Sequence, residues 1–422
     1  MTYEPTLEFA RRLDETDPLR GFRERFALPH GARGEPVVYL CGHSLGLMPL
    51  AARGLVMEEL DDWAQLAVLG HEHAHRPWIP YHENFRDGLA ALTGARATEV
   101  VAMSSLTVNL HLLLAAFYRP SGKRHRILIE EGAFSSDRHA VASQISWRGL
   151  DPQEALVELS PPAGMDTIPQ DSIDAYLAEH GAEVALVLWP GVQYRTGQAF
   201  DLARIARAAL GAGCVVGFDL AHAIGNMPIA LHEIDADFAV WCSYKYLNAG
   251  PGAIGGCFVH ERHDPPHLAG WWGHDTATRF RMRPEFHPAP GAAGWQISNP
   301  PILSAAPLIA SLSLFQEAGM QRLRQKSVAL TGYLEYLLDR LAPDLELITP
   351  RAVDSRGCQL SVRVTGPHGR GQRIFDNLAG RGLIADWREP DTIRLAPIPL
   401  YNSFADVLSG AEALAQALRC EP

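Results

Sequence analysis

Short apolar runs alternate with helical periodicity through the middle of the chain. Five runs have strand length: Arg126–Glu130, 184–189, 214–219, 238–243 and 253–260. Among them, apolar residues recur at helical spacing over 107–117, 172–180 and 202–210. Strands that are apolar throughout are buried on both faces, and β/α alternation supplies helices to cover both. The expected fold is therefore α/β, with a mainly parallel central sheet flanked by helices. Beyond about residue 310 the pattern changes. Val328, Leu330, Leu334, Leu337, Leu338 and Leu341 mark one helical face, followed by strand-like pieces at 359–364 and Thr392–Leu395 and a final helix near 404–418. That reads as a smaller α+β unit. At the other end, residues 6–13 form an amphipathic helical stretch, and Asp17-Pro18 looks like an N-cap with proline in the first helical position. The expected division is a large domain over 50–310 and a small domain combining 1–49 with 311–422.

Composition narrows the classes. The 422 residues are 47% hydrophobic and 20% charged, with a net charge of −11. That balance is ordinary for a globular protein and argues against nucleic acid as a main partner. No run approaches the roughly 20 apolar residues that span a bilayer, and the first 15 residues carry acids and no apolar core. No membrane or secretory role is expected. Six cysteines, at 41, 214, 242, 257, 358 and 420, form no C-x-x-C pair. They are expected to be reduced thiols in the cytoplasm.

Two motifs attract attention and fail. Gly250-Pro-Gly252-Ala-Ile-Gly255 matches G-x-G-x-x-G, but a dinucleotide site needs a helix after it, and here a strand-like run follows. A backbone turn is expected. His71, His73 and His75 would share a face in an extended segment, yet no carboxylate or thiolate at ligand spacing completes a metal site, so none is assigned.

A stronger constellation lies at 214–245. The run 214–219 ends on Asp219, and the run 238–243 ends just before Tyr244-Lys245. An acid or a lysine at the carboxyl end of a buried strand is costly unless something uses it, and in open α/β sheets that end is where ligands bind. Pyridoxal phosphate (PLP) needs this pair: a lysine amine for the Schiff-base link, and an acid opposite the ring nitrogen to keep it protonated. Ser104-Ser105-Leu106-Thr107 opens an apolar helix, and a helix start with nearby hydroxyls suits a phosphate dianion. Simple capping explains the same residues equally well. Phe134, in the turn Phe134-Ser135-Ser136-Asp137 after a strand, could stack on the ring.

These residues bring a family resemblance into view. The stretch CVVGFDLAHAIGNMPIALHEIDADFAVWCSYKYLNAGP (214–251) resembles the aspartate–lysine core of kynureninases, which are fold-type-I PLP enzymes. GHSLGLMP (42–49), GHE (70–72), RPW (76–78), LTVNLHLL (106–113), ISNPPIL from Ile297, GCQL from Gly357 and IRLAPIPLYNSF (393–404) follow in the same order. GWWGH and TRFRM lie between Gly270 and Met282. The resemblance implies that Lys245 carries PLP, Asp219 pairs with its ring nitrogen, and His222 lies beside it. It also implies that Leu106, Thr107, Phe134, Ser135, Ser136 and Asp137 contact the cofactor. By the same resemblance Tyr244 serves phosphate binding and proton transfer, Arg394 grips the substrate α-carboxylate, and Ser44, His71, Ser298 and Asn299 belong to the substrate pocket. Trp271 and Asn299 match positions that family members lend across a homodimer interface.

The implied reaction is hydrolytic cleavage of the Cβ–Cγ bond of kynurenine or 3-hydroxykynurenine. The products are anthranilate or its 3-hydroxy form, plus alanine, in tryptophan degradation or NAD biosynthesis. His71 and Asn299 match the animal-like type of the family, which implies a preference for the hydroxylated substrate. Two departures stand out: Pro190 replaces a usual Ser or Thr near the cofactor, and His43 replaces a usual asparagine. The nearest rivals are another fold-type-I PLP enzyme, an aminotransferase or cysteine desulfurase, and then a non-enzymatic PLP-fold regulator.

Overall fold

The computed structural model describes residues 3–31, 34–263 and 268–421. Its centre is a seven-stranded sheet built from β1 (Val100–Ala102), β2 (Arg126–Glu130), β3 (Leu156–Leu159), β4 (Val184–Pro190), β5 (Val215–Asp219), β6 (Phe238–Trp241) and β7 (Gly256–Val259). The strand order is β1-β7-β6-β5-β4-β2-β3. The pairs from β6 through to β3 are parallel, and β7 alone runs against both of its neighbours. The mainly parallel sheet expected from the sequence is the one observed.

The apolar runs work as the pattern requires. Ile127 and Ile129 point to one face and pack with Leu110, Leu114, Val141 and Ile145 of the helices Leu106–Phe117 and Ser135–Trp147. Leu128 points to the other face, into a cluster with Leu177, Ile205 and Leu312. Between β6 and β7 the chain turns through Gly250 and Gly252, at φ 87° and 71°. The G-x-G-x-x-G match is thus a turn that only glycine adopts without strain.

A second sheet carries β8 (Leu345–Leu347), β9 (Leu360–Val364), β10 (Asp386–Arg388) and β11 (Thr392–Leu395), all antiparallel, in the order β10-β11-β9-β8. The helices Met320–Leu341 and Phe404–Cys420 cover it. The helix Leu7–Thr16 joins the same core through Phe9 and Ala10, and the Asp14 carboxylate accepts hydrogen bonds from the Phe404 and Ala405 N–H groups at 2.7 and 3.1 Å. The start signal at Asp17-Pro18 opens a 3₁₀ segment, Arg20–Arg25, rather than an α-helix. Asp17 accepts from the Leu19 N–H (2.8 Å) and pairs with buried Lys326 (2.7 Å), so its carboxylate is held by tertiary structure. Two long helices that the sequence pattern does not mark, Leu50–Leu66 and Ile302–Ala318, pack on each other.

Candidate active site

Because β5 and β6 are parallel neighbours, their carboxyl ends lie side by side. Asp219 closes β5 and is buried, and its Oδ1 accepts from the Ala221 N–H at 2.7 Å. Lys245 follows β6, with its Nζ 3.0 Å from His222 Nε2. Burial, then the charges of Lys245 and Arg394, hold the His222 imidazole well below its usual pKa. The ring is therefore neutral where it meets the lysine nitrogen. The Phe134 and Tyr244 rings lie 5.7 and 5.9 Å from Lys245 Nζ. Burial and then the Cys242 thiol push the Tyr244 hydroxyl upward, so it stays a proton donor at neutral pH.

Beside this pair, two helices begin together. Leu106–Phe117 starts after Ser105, whose side chain makes no capping bond. The Phe134–Asp137 stretch is not a free turn as expected. Ser135 opens the helix Ser135–Trp147, with Phe134 as its N-cap residue. Thr107 Oγ1 and Ser136 Oγ lie 2.7 Å apart and tie the two helix starts together. A Cβ on Gly255 would come within 3.0 Å of the Ser105 carbonyl carbon and Leu106 nitrogen, so glycine lets the chain entering β7 press against this point. Two helix starts offer free N–H groups and two positive dipole ends to one anion. Asp137 sits in the floor between the starts and Asp219. Burial and then the Asp219 carboxylate push Asp137 well above the ordinary range, Glu130 adds to the effect, and Lys245 opposes it. Lysine, buried acid, exposed aromatic ring and paired helix starts fit PLP in their chemistry and their arrangement.

Arg394, on β11, is 1% exposed. Its Nε and Nη2 bind the two oxygens of Asp386 at 3.1 and 2.8 Å, and its Nη1 donates to the Tyr194 carbonyl at 2.6 Å. Those contacts take three of its five N–H donors and fix the guanidinium, leaving two for a ligand. Residues 41–46 bridge this end to the lysine. Gly46 N–H donates to the Tyr244 carbonyl at 2.8 Å, and Cys41 bridges to Ala396. Ser44 bonds the Cys41 thiol, which burial and then Asp386 push up to about 12. His43 is fully buried, within ring-contact range of His222. Pro190 ends β4 in register with Asp219 and brings no hydroxyl there. Asp386 and Tyr194, which hold Arg394, carry no motif, and only a fold brings them to it.

The other predicted residues form a second group. His71, Trp271 and Asn299 line a cavity of about 460 Å³ with Trp272 and Phe280. Ser298 donates to Asn299 Oδ1 at 3.1 Å. All four predicted residues here are exposed. The histidine run is not extended, since Gly70–His73 is a helical turn. His75 bonds Asp62 at 2.8 Å, while His71 meets the Trp78 ring edge-on at 5.4 Å.

Comparison with known proteins gives a consistent answer. The family profile of the kynureninase C-terminal domain matches residues 323–414. A kynureninase of Xanthomonas campestris pv. campestris (strain B100) is 56% identical over 412 residues, covering 96% of this chain and 97% of that protein. One from Xanthomonas euvesicatoria pv. vesicatoria (strain 85-10) is 56% identical over 400 residues, 94% of each. Among solved structures, a cysteine desulfurase from Escherichia coli superposes with a TM-score of 0.76 at 18% identity, covering 96% of this chain and 99% of its own. A cystine C–S lyase in complex with cysteine persulfide gives 0.75 at 19% identity, with 90% and 97% covered. At that identity the structures establish a shared fold, the fold-type-I PLP architecture.

Proposed function

The chain belongs to the kynureninase family, and from that premise we propose how its residues divide the work. It is a PLP-dependent hydrolase that cleaves the Cβ–Cγ bond of kynurenine to release anthranilate and alanine. When bound, PLP supplies an electron sink for charge developing at the substrate α-carbon.

In our reading Lys245 holds the cofactor and then moves the α-proton. Asp219 would stand opposite the ring nitrogen and keep it protonated, with the buried Asp137 carboxyl beside it. His222, Leu106, Phe134 and Ser135 frame the ring and phosphate. The helix starts at Thr107 and Ser136 would hold the phosphate. Arg394 offers its two uncommitted N–H donors to the α-carboxylate, the bidentate grip that guanidinium favours. Tyr244, protonated and near Lys245, donates toward the phosphate and to the γ-carbonyl oxygen as water adds, a step worth about 10²–10⁴-fold. The observation that carries the reading is the pairing of Lys245 and Asp219 on adjacent parallel strand ends beside two helix starts. The test is Lys245→Ala. Loss of the visible absorbance of the lysine-bound cofactor and of alanine release is expected, and retention of both would overturn the assignment.

For the ring end, His71 and Asn299 share one cavity and both bond hydroxyls, which supports a preference for 3-hydroxykynurenine, with Ser298 and Ser44 completing the pocket. Measured kcat/KM should be higher for 3-hydroxykynurenine. An equal or lower value would sink that preference. A homodimer is supported by an apolar face. Leu45, Met48, Leu50, Met57 and Leu303 are all exposed around or beside a cavity of about 570 Å³ next to the Lys245 segment. The helix Leu7–Thr16 packs on the C-terminal unit, which supports joining it to the small domain, whereas Leu19, Phe22, Phe26 and Leu47, and Leu312, Leu314 and Phe315 in the helix Ile302–Ala318, pack into the large core and speak against a division at residues 50 and 310. Among the described residues no single helix is long and apolar enough to cross a membrane. The six cysteines are all free, in keeping with the cytoplasm.

A further inference from the structure

Residues 41–46 are wedged between the two halves of the substrate site. On one side Gly46 N–H bonds the Tyr244 carbonyl, and a Cβ on Gly46 would collide with the Lys245 carbonyl oxygen. On the other side Ala396 N–H bonds the Leu40 carbonyl at 2.8 Å, two residues beyond Arg394. His43 stands in the middle of this wedge, 0% exposed, and neither ring nitrogen has a hydrogen-bond partner. Its ring lies 6.4 Å from that of His222, which contacts Lys245. One of its nitrogens lies within 4.8 Å of a carboxylate oxygen of Asp386, the residue that holds Arg394. His43 therefore sits between the amine-binding lysine and the carboxylate-binding arginine, where an α-amino acid must lie.

We infer that His43 is a substrate-binding residue that donates an N–H to the α-carboxylate alongside Arg394. The inference rests on the site reading above. Burial and the surrounding charges of Arg394, Lys245 and Arg388 keep the ring neutral. A neutral imidazole has one N–H and one lone pair. The N–H has no acceptor in the protein, and Lys245, Arg394 and Arg388 stand nearby, the two arginines each paired with the Asp386 carboxylate. A buried donor left unmatched is costly, so an arriving carboxylate oxygen gains both a bond and the relief of that cost.

The test separates the carboxylate from the amine. The holoenzyme is titrated with L-alanine, the product, and with ethylamine, which has an amine but no carboxylate. Binding is read from the visible absorbance of the cofactor. For His43→Phe, the alanine Kd is expected to rise by about 10- to 100-fold, the usual worth of a hydrogen bond to a charged group, while that for ethylamine moves by less than about twofold. His43→Asn keeps an N–H donor and should stay within about tenfold of the parent for alanine. Should His43→Phe fail to fold, His43→Leu against His43→Asn makes the same comparison. Equal weakening of both ligands would reduce His43 to packing, and an unchanged alanine Kd would overturn the inference directly. Failure of the underlying reading looks different, because the parent enzyme would then show no lysine-dependent absorbance at all.

Discussion

His82 shows how much a single buried side chain ties stability to pH. It is 8% exposed, its Nδ1 has no partner, and burial, then Arg279 and Arg86, lower its pKa to about 4. Unfolded, it titrates near about 6.5. Between those values the unfolded chain binds a proton that the folded chain refuses, so stability falls as pH falls through this window. The slope is at most about 1.4 kcal/mol per pH unit. Urea unfolding of the parent and of His82→Gln, repeated from pH 7 to 4, should give a steeper acid loss for the parent by up to that amount. Parallel curves would show that His82 is not held neutral. The same logic of buried cost explains why Lys245 and Asp219 were legible in the sequence. Each is an ionisable residue ending an apolar run, where a charge needs a reason. Tyr194 and Asp386 were not legible, because one contributes a carbonyl and the other sits on a short half-buried strand. Their role exists only through Arg394, 200 and 8 residues away in sequence.

At the scale of elements, the strands β2, β4, β5, β6 and β7 and the helices between them could be read because each has one dominant period. The helix Ile302–Ala318 could not, because it is apolar nearly all round, with nine buried residues and Pro307 inside it. The start of Ser135–Trp147 reads as a turn because serine and aspartate favour both turns and first helical positions. What no periodicity reveals is the docking of residues 41–46 against the lysine segment, where glycine permits a close backbone approach. A Cβ on Gly46 meets a backbone carbonyl and the Asn248 Cα, neither of which can swing aside like a side chain. Gly46→Ala should displace Lys245 and lower kcat/KM on the order of 100-fold, the usual cost of a misplacement near 1 Å. Gly211→Ala, at a helix end with open space around it, should leave kcat/KM within about twofold. Equal activities for the two variants would mean that the loop is not a rigid support.

At the scale of the molecule, the proposed site residues of one chain gather in two places. Lys245, Asp219, His222 and Arg394 converge at the strand ends, while His71, Trp271 and Asn299 gather around a separate exposed cavity. A two-fold axis would resolve this, because an isologous contact that brings the second group of one chain onto the first group of another does so twice. The arrangement predicts complementation between two inactive variants. Lys245→Ala lacks the first group, and the double variant Trp271→Ala with Asn299→Ala lacks the second. Unfolded together and refolded as an equal mixture, about half of the dimers would be mixed, and each mixed dimer would hold one intact site made of the undamaged groups. Activity should therefore return to about a quarter of the parent level, although each variant refolded alone stays near zero. If both groups serve the same chain instead, no pairing can restore a site, and the mixture stays as inactive as its parts.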